Sequence, residues 1–234
     1  MRFFITLILC LCIAQEALSQ TETIKTRFVW EGGTALNYKV TDNWSFNTSI
    51  GKRSVWSTVE TNSNEEFEGE LAFLEFDHFA TYRFNPSTRG SLGYKYRWRD
   101  PSEGFGEYEH RITQQLAHTH FKEIIRLVSR LRLEQRIRNE SFAMRYRYRL
   151  SADLPLSGET LDAREFYLVG SNEILFEAVD VEEDTWESRT SGSIGYLFNP
   201  DLKLEMSFTY RLENFTGSTE DFLFINTGVF INLN

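Results

Sequence analysis

Ile125-Arg126-Leu127-Val128-Ser129-Arg130-Leu131-Arg132-Leu133-Glu134-Gln135-Arg136-Ile137-Arg138 is the stretch on which the fold turns. Ile125, Leu127, Leu131, Leu133 and Ile137 share one parity, and Arg126, Arg130, Arg132, Glu134, Arg136 and Arg138 share the other. A period of two belongs to a β-strand, whose successive side chains point to opposite faces. A helical reading through Ile124, Leu127, Val128 and Leu131 also exists, but it scatters Ile125, Leu133 and Ile137 around the axis. As a strand, the segment carries five guanidinium groups and one carboxylate on a single face. Beyond an Asn139-Glu140 turn, Arg145, Arg147 and Arg149 extend that face on the next strand, and Phe142, Met144, Tyr146, Tyr148 and Leu150 form its apolar reverse.

The same alternation recurs along the chain. Phe28, Trp30, Thr34, Leu36, Tyr38 and Val40 alternate with polar residues, as do Leu92, Tyr94, Tyr96 and Trp98. So do Leu202, Leu204, Met206, Phe208, Tyr210 and Leu212 near the C-terminus. Segments of about 9 to 13 residues suit a tilted strand crossing a bilayer. Eleven are counted: 28–40, 44–57, 67–84, 88–99, 108–117, 124–138, 141–152, 166–176, 188–198, 201–212 and 222–233. Single-chain bacterial outer-membrane barrels have even strand numbers, so ten or twelve strands are expected, with 154–165 or 67–84 as the place of a miscount.

Connections alternate too. Thr41-Asp42-Asn43, Asn85-Pro86-Ser87 and Asn199-Pro200-Asp201 are tight turns, the last two inside a repeated Tyr-x-Phe-Asn-Pro phrase. Longer acidic loops fall near 58–66, 100–107, 177–187 and 213–221. Short turns on one side and long loops on the other describe a transmembrane barrel. A soluble ligand-binding barrel alternates in the same way. The membrane reading is favoured by the arginine-rich polar faces and by aromatics beside the turns, Trp44, Tyr82, Phe84, Tyr196 and Phe198. The fold class expected is therefore all-β, a transmembrane antiparallel up-and-down β-barrel of about 10–12 strands.

The first residues read as an export signal: Met1-Arg2, an apolar run from Phe3 to Ala14, and Ala17-Leu18-Ser19 before Gln20. The expected division is a secretory signal at 1–19 and an outer-membrane barrel at 20–234. Both cysteines, Cys10 and Cys12, lie in the signal, so disulfides, thiol catalysis and Cys-ligated metals are excluded from the mature chain. With 234 residues there is room for one sizeable domain. The 15% aromatic content excludes a disordered chain, and low mean hydropathy excludes a polytopic helical membrane protein. A net charge of −9 argues against nucleic acid as a partner.

Arg126, Arg130, Arg132, Arg136, Arg138, Arg145, Arg147 and Arg149 form a basic ladder expected to line the lumen, with Glu109, Glu134, Glu173 and Glu177 as candidate acidic partners. Two readings of the ladder stand. Either the carboxylates neutralise it and plug the lumen, because a buried unpaired charge costs several kcal/mol, or exposed arginines attract small anionic solutes into a narrow, porin-like channel. No enzyme is expected, because no nucleophile motif accompanies the four histidines; an outer-membrane hydrolase built around His110 is the alternative. His118-x-His120 has no third ligand in view, so no metal or other cofactor is expected. Gly51-Lys52 lacks the upstream glycine of a phosphate loop.

The runs Glu109-His110-Arg111-Ile112-Thr113-Gln114-Gln115, Arg130-Leu131-Arg132-Leu133-Glu134-Gln135-Arg136, Arg145-Tyr146-Arg147-Tyr148-Arg149-Leu150 and Ser171-Asn172-Glu173-Ile174, with Arg189 before Gly195-Tyr196, resemble a family of bacterial outer-membrane proteins known as domain of unknown function 2490. The likeness is strongest from 109 to 196, and its motif residues are His110, Gln114, Gln135, Asn172 and Arg189. The resemblance implies an outer-membrane barrel of a Gram-negative cell, surrounded by lipid, and implies no activity.

Overall fold

The computed structural model describes residues 25–60, 66–99, 101, 107–122, 124–139, 141–180, 183–215 and 219–233. The expected signal at 1–19 and parts of the acidic loops lie outside them. Among the described residues there are eleven strands and no helix: β1 (Lys25–Lys39), β2 (Trp44–Glu60), β3 (Glu66–Asn85), β4 (Thr88–Arg99), β5 (Tyr108–Lys122), β6 (Ile125–Arg138), β7 (Phe142–Pro155), β8 (Glu165–Val179), β9 (Thr185–Asn199), β10 (Leu202–Glu213) and β11 (Glu220–Leu233). Each pairs antiparallel with its neighbours in sequence, and the sheet closes by pairing β1 with β11 in parallel. That closure corrects the expectation of an even number: an odd count is accommodated by one parallel seam. Neither suspected segment was miscounted, since 67–84 lies within the single strand β3 and 156–164 is a connection. The strands run from 12 to 20 residues, longer than their alternation alone suggests.

Asparagine chemistry explains the repeated turn phrase. Asn85 Oδ1 accepts the backbone N–H groups of Ser87 and Thr88 at 3.0 and 2.8 Å. Asn199 Oδ1 does the same for Asp201 and Leu202, both at 2.9 Å. Each side chain thus closes a turn that the adjoining proline helps to fix. These turns share one rim, the turn end, with 40–43, Ile124 and the nine-residue connection 156–164. The opposite rim, the loop end, carries the connections after β2, β4, β6, β8 and β10.

The outer wall is apolar and open to its surroundings, with Leu131, Met206 and Phe208 each more than half exposed. Aromatic rings gather near both rims. At the turn end Trp44 meets Tyr82 at 5.0 Å, and Tyr196 stands between Phe166 and Phe198, each at 4.7 Å. Toward the loop end Phe176 meets Trp186 at 4.9 Å, and Tyr96 stacks on Tyr108 at 5.8 Å.

The parallel seam is pinned from inside by three asparagines on three strands. Asn37 Nδ2 donates to Asn232 Oδ1 at 3.1 Å, and Asn47 Nδ2 donates to Asn37 Oδ1 at 2.6 Å. Farther along, Gly33 brings β1 close to β2: a Cβ there would stand 2.9 Å from the Ile50 carbonyl oxygen. The seam side of the lumen is therefore thin-walled.

Candidate functional site: the charged lumen

Inward positions of β3 to β10 carry an ion-pair web. Glu109, with no exposed surface, is its densest node. Its Oε2 accepts from Arg136 Nη2 at 2.6 Å, Arg99 Nη2 at 3.2 Å and Arg138 Nε at 3.4 Å, while Oε1 accepts from Arg111 Nε at 3.0 Å. Glu177 receives Arg136 Nη1 at 2.6 Å and Arg138 Nη2 at 3.1 Å, and also pairs with Arg145. Glu134 receives Arg147 Nη1 at 2.8 Å, Arg111 Nη1 at 3.2 Å and Arg132 Nη1 at 3.5 Å. Glu173 is held by Arg147 Nη2 at 2.6 Å, with Arg189 Nη1 at 3.7 Å. Each bond to an ionised partner is stronger than a neutral one, and carboxylates shared among several guanidiniums leave few lone pairs idle.

The four glutamates singled out from sequence thus lie against ladder arginines. Further acids join them. Glu187, 1% exposed, pairs with Arg189 and receives Arg211 Nη2 at 3.0 Å. Glu75 holds Lys95 at 2.7 Å and Arg97 at 2.6 Å, Asp77 holds Lys95 at 2.9 Å, and Asp153 accepts from Arg126 Nε at 2.9 Å. Sequence reasoning missed Glu187 because it fell inside a segment read as a loop. Glu75 and Asp77 were readable from their parity opposite Leu74 and Phe76.

Two ladder members behave differently. Arg130 and Arg149 lie directly across from one another on β6 and β7. Arg149 Nη2 donates to Ser171 Oγ at 2.9 Å and has no carboxylate within 4.0 Å among the described residues. Arg130 Nη2 comes no nearer than 3.9 Å to Glu173.

The motif residues divide. Arg189 faces the lumen, whereas His110, Gln114, Gln135 and Asn172 face outward and pair across strands. Tyr94 Oη and His110 Nδ1 are 2.7 Å apart, Gln114 and Gln135 exchange two amide bonds of 3.2 and 3.1 Å, and Asn172 Nδ2 donates to Thr190 Oγ1 at 2.9 Å. Such mutual pairing satisfies polar groups on an otherwise apolar wall. His118 is 2.9 Å from Thr88 Oγ1 and stands edge-on to His120; among the described residues no three possible ligands gather for a metal.

Three cavities follow one another along the lumen. At the turn end one of about 530 Å³ lies between β6, β7, β8 and β10. The next, about 310 Å³, shares Arg149 and Glu205 with it and is lined by Ser171, Ser191, Ser193, Ser207 and Thr209. The third, about 430 Å³ at the loop end, shares Arg53, Arg147, Arg189 and Arg211 with the second, and its lining holds twelve Lys or Arg residues against four glutamates. The residues common to successive cavities are thus Arg149 with Glu205 between the first and second, and Arg53, Arg147, Arg189 and Arg211 with Glu31 between the second and third.

Among solved structures the chain resembles LpxR from Salmonella typhimurium, with a TM-score of 0.53 and 11% identity over 80% of this chain and 83% of that one. It also matches the siderophore receptor PirA from Pseudomonas aeruginosa at a TM-score of 0.32 and 14% identity, over 74% of this chain and 32% of the receptor. No curated protein matches the sequence. The likeness to LpxR establishes an outer-membrane type of barrel and corrects the expectation that the chain is not an enzyme: LpxR is an outer-membrane enzyme, so the absence of a nucleophile motif does not exclude catalysis from a barrel of this fold. Residues 29–221 match the model of the proteins of unknown function DUF2490, and the chain belongs to that family.

Proposed function

We propose that the protein is an outer-membrane barrel of a Gram-negative envelope whose narrow lumen passes small anionic solutes. The observation that carries this reading is the arginine-rich lining of the successive lumen cavities, above all the loop-end cavity, where twelve Lys or Arg residues and four glutamates line the space and Glu109, Glu134, Glu173 and Glu187 pair with the arginines from outside that lining. Guanidiniums beyond those the carboxylates neutralise draw anions in and repel cations, the logic of a selectivity ring. The apolar outer wall with aromatic rings toward both rims supports a bilayer around it. The short apolar segment at 3–14 supports export through a cleaved signal ending near Ser19. Purified full-length chain in a planar bilayer tests the passage. Small conductance steps with an anion-directed reversal potential in a salt gradient are expected, and Arg147→Gln should weaken the preference. Silence or cation preference overturns it.

One observation favours a second reading, a plugged structural barrel: Glu109, Glu134 and Glu187 are almost completely buried beneath their arginines. A silent bilayer with a stable, correctly folded protein is the outcome that reading expects.

A further inference from the structure

We propose that the turn-end cavity is a binding site for an amphipathic anion, a carboxylate head on an apolar body of fatty-acid or aryl-acid type. The first support is a charge left over. Every other lumen arginine of the ladder has a carboxylate within 3.5 Å, whereas Arg130 and Arg149 face each other across β6 and β7 without one. Like charges directly opposite on a sheet destabilise it. Of the three acids that line the cavity, Asp153 is engaged by Arg126 and Glu205 by Lys203 at 3.0 Å and by the Tyr167 hydroxyl at 2.5 Å, while Glu159, on the connection 156–164, makes no ion pair with either arginine. Glu173, the nearest acid to Arg130, is held by Arg147. An incoming carboxylate would complete this pair as Glu109 completes its own arginines.

The second support is shape. The cavity measures about 530 Å³, within the range of sites that enclose small molecules. Its lining carries Arg130 and Arg149 together with the apolar Val128, Val169 and Leu161. Leu161 belongs to the connection 156–164, which adds Glu159, Thr160 and Leu161 to the lining and is fastened at both ends, by Leu156 N–H to the Phe166 carbonyl at 3.0 Å and by Arg164 N–H to the Leu197 carbonyl at 2.5 Å. A polar anion alone would leave the apolar sides unused, and an uncharged chain would leave the guanidiniums uncompensated.

The proposal shares the lumen with the passage described above but does not require conduction. Binding without current would leave it standing while the passage fails, and current without binding would do the reverse. The test is calorimetric titration of the full chain in zwitterionic micelles with octanoate, using octan-1-ol and inorganic phosphate as the tail and the charge taken separately. One saturable octanoate site is expected, with both controls about tenfold weaker or worse, and with Arg130→Gln and Arg149→Gln each costing about tenfold. Leu161→Ser, on an exposed connection where folding is not at risk, should weaken octanoate severalfold while leaving phosphate unchanged. Equal octanoate heats in wild type and the double arginine variant overturn the proposal, as does phosphate binding as tightly as octanoate. Heat-modifiable gel mobility verifies that each variant is folded; should the arginine variants fail to fold, the control ligands and Leu161→Ser decide.

Discussion

The two sides of the lumen wall solve the problem of an inward face in opposite ways. From β3 to β9 it is filled with long charged chains, and Glu109, Glu134, Glu173, Glu177 and Glu187 each serve two to four guanidiniums. Around β10, β11, β1 and β2 it is thinned to Gly33, Ser49, Gly51, Ser207 and Asn226, with a small apolar cluster of Val29, Phe222 and Phe224. Where the two sides meet, cations lie against rings: Arg97 of β4 lies 3.9 Å from the centroid of Phe73, and Arg53 of β2 lies 4.6 Å from Phe73 and 5.0 Å from Phe224. Ring faces attract cations without adding a formal charge. One side therefore supplies charge and the other supplies room, and the cavities lie where the two meet.

Four measurements test that contrast. The largest effect belongs to the charged side. Glu109→Gln removes the common partner of Arg99, Arg111, Arg136 and Arg138, and stability in a urea titration should fall by about 3–5 kcal/mol, the cost of leaving buried charge uncompensated. On the thin side, Gly33→Val pushes a Cβ against the Ile50 carbonyl oxygen and should cost about 1–3 kcal/mol by overpacking. A neutral result there would mean that the β1–β2 pairing yields easily. Asn37→Ala breaks two amide bonds of the seam ladder and should cost about 1–2 kcal/mol in the same titration. The smallest effect lies outside the lumen. Lys39 Nζ donates to Asp42 Oδ1 at 2.7 Å, and that bond lowers the pKa of the Asp42 carboxyl. Its favourable contribution is full above the ordinary aspartate pKa of about 3.9 and is lost as pH falls through the lowered folded value. Carbon NMR should find that value restored toward normal in Lys39→Met.

Much of the architecture is legible in the alternation itself, because parity alone assigns a side chain to the inner or outer face. The eleven segments and the turn asparagines Asn85 and Asn199 follow from local chemistry of this kind. Register does not, since nothing in the run 125–138 states that Arg136 stands beside Glu177 and Arg130 beside Arg149. The offset of each strand against its neighbour decides which arginines find acids, and that offset is a property of the closed barrel. The parallel seam was hidden for the same reason: Asn37 and Asn232 are 195 positions apart, and no local pattern links them. His110, Gln114, Gln135 and Asn172 could be marked as a motif, but only the cross-strand partners Tyr94 and Thr190 explain how they sit on an apolar wall.

The seam also bears on the order of folding. Ten of the eleven strand pairings join neighbours in the chain and form by extending a hairpin already made. The eleventh must bring β1 to β11, in parallel, after nearly the whole sheet exists. Non-local pairing of this kind pays its loop entropy before any contact rewards it and is intrinsically slow. Closure is thus a single late event, and the asparagine ladder acts as the latch that ends it.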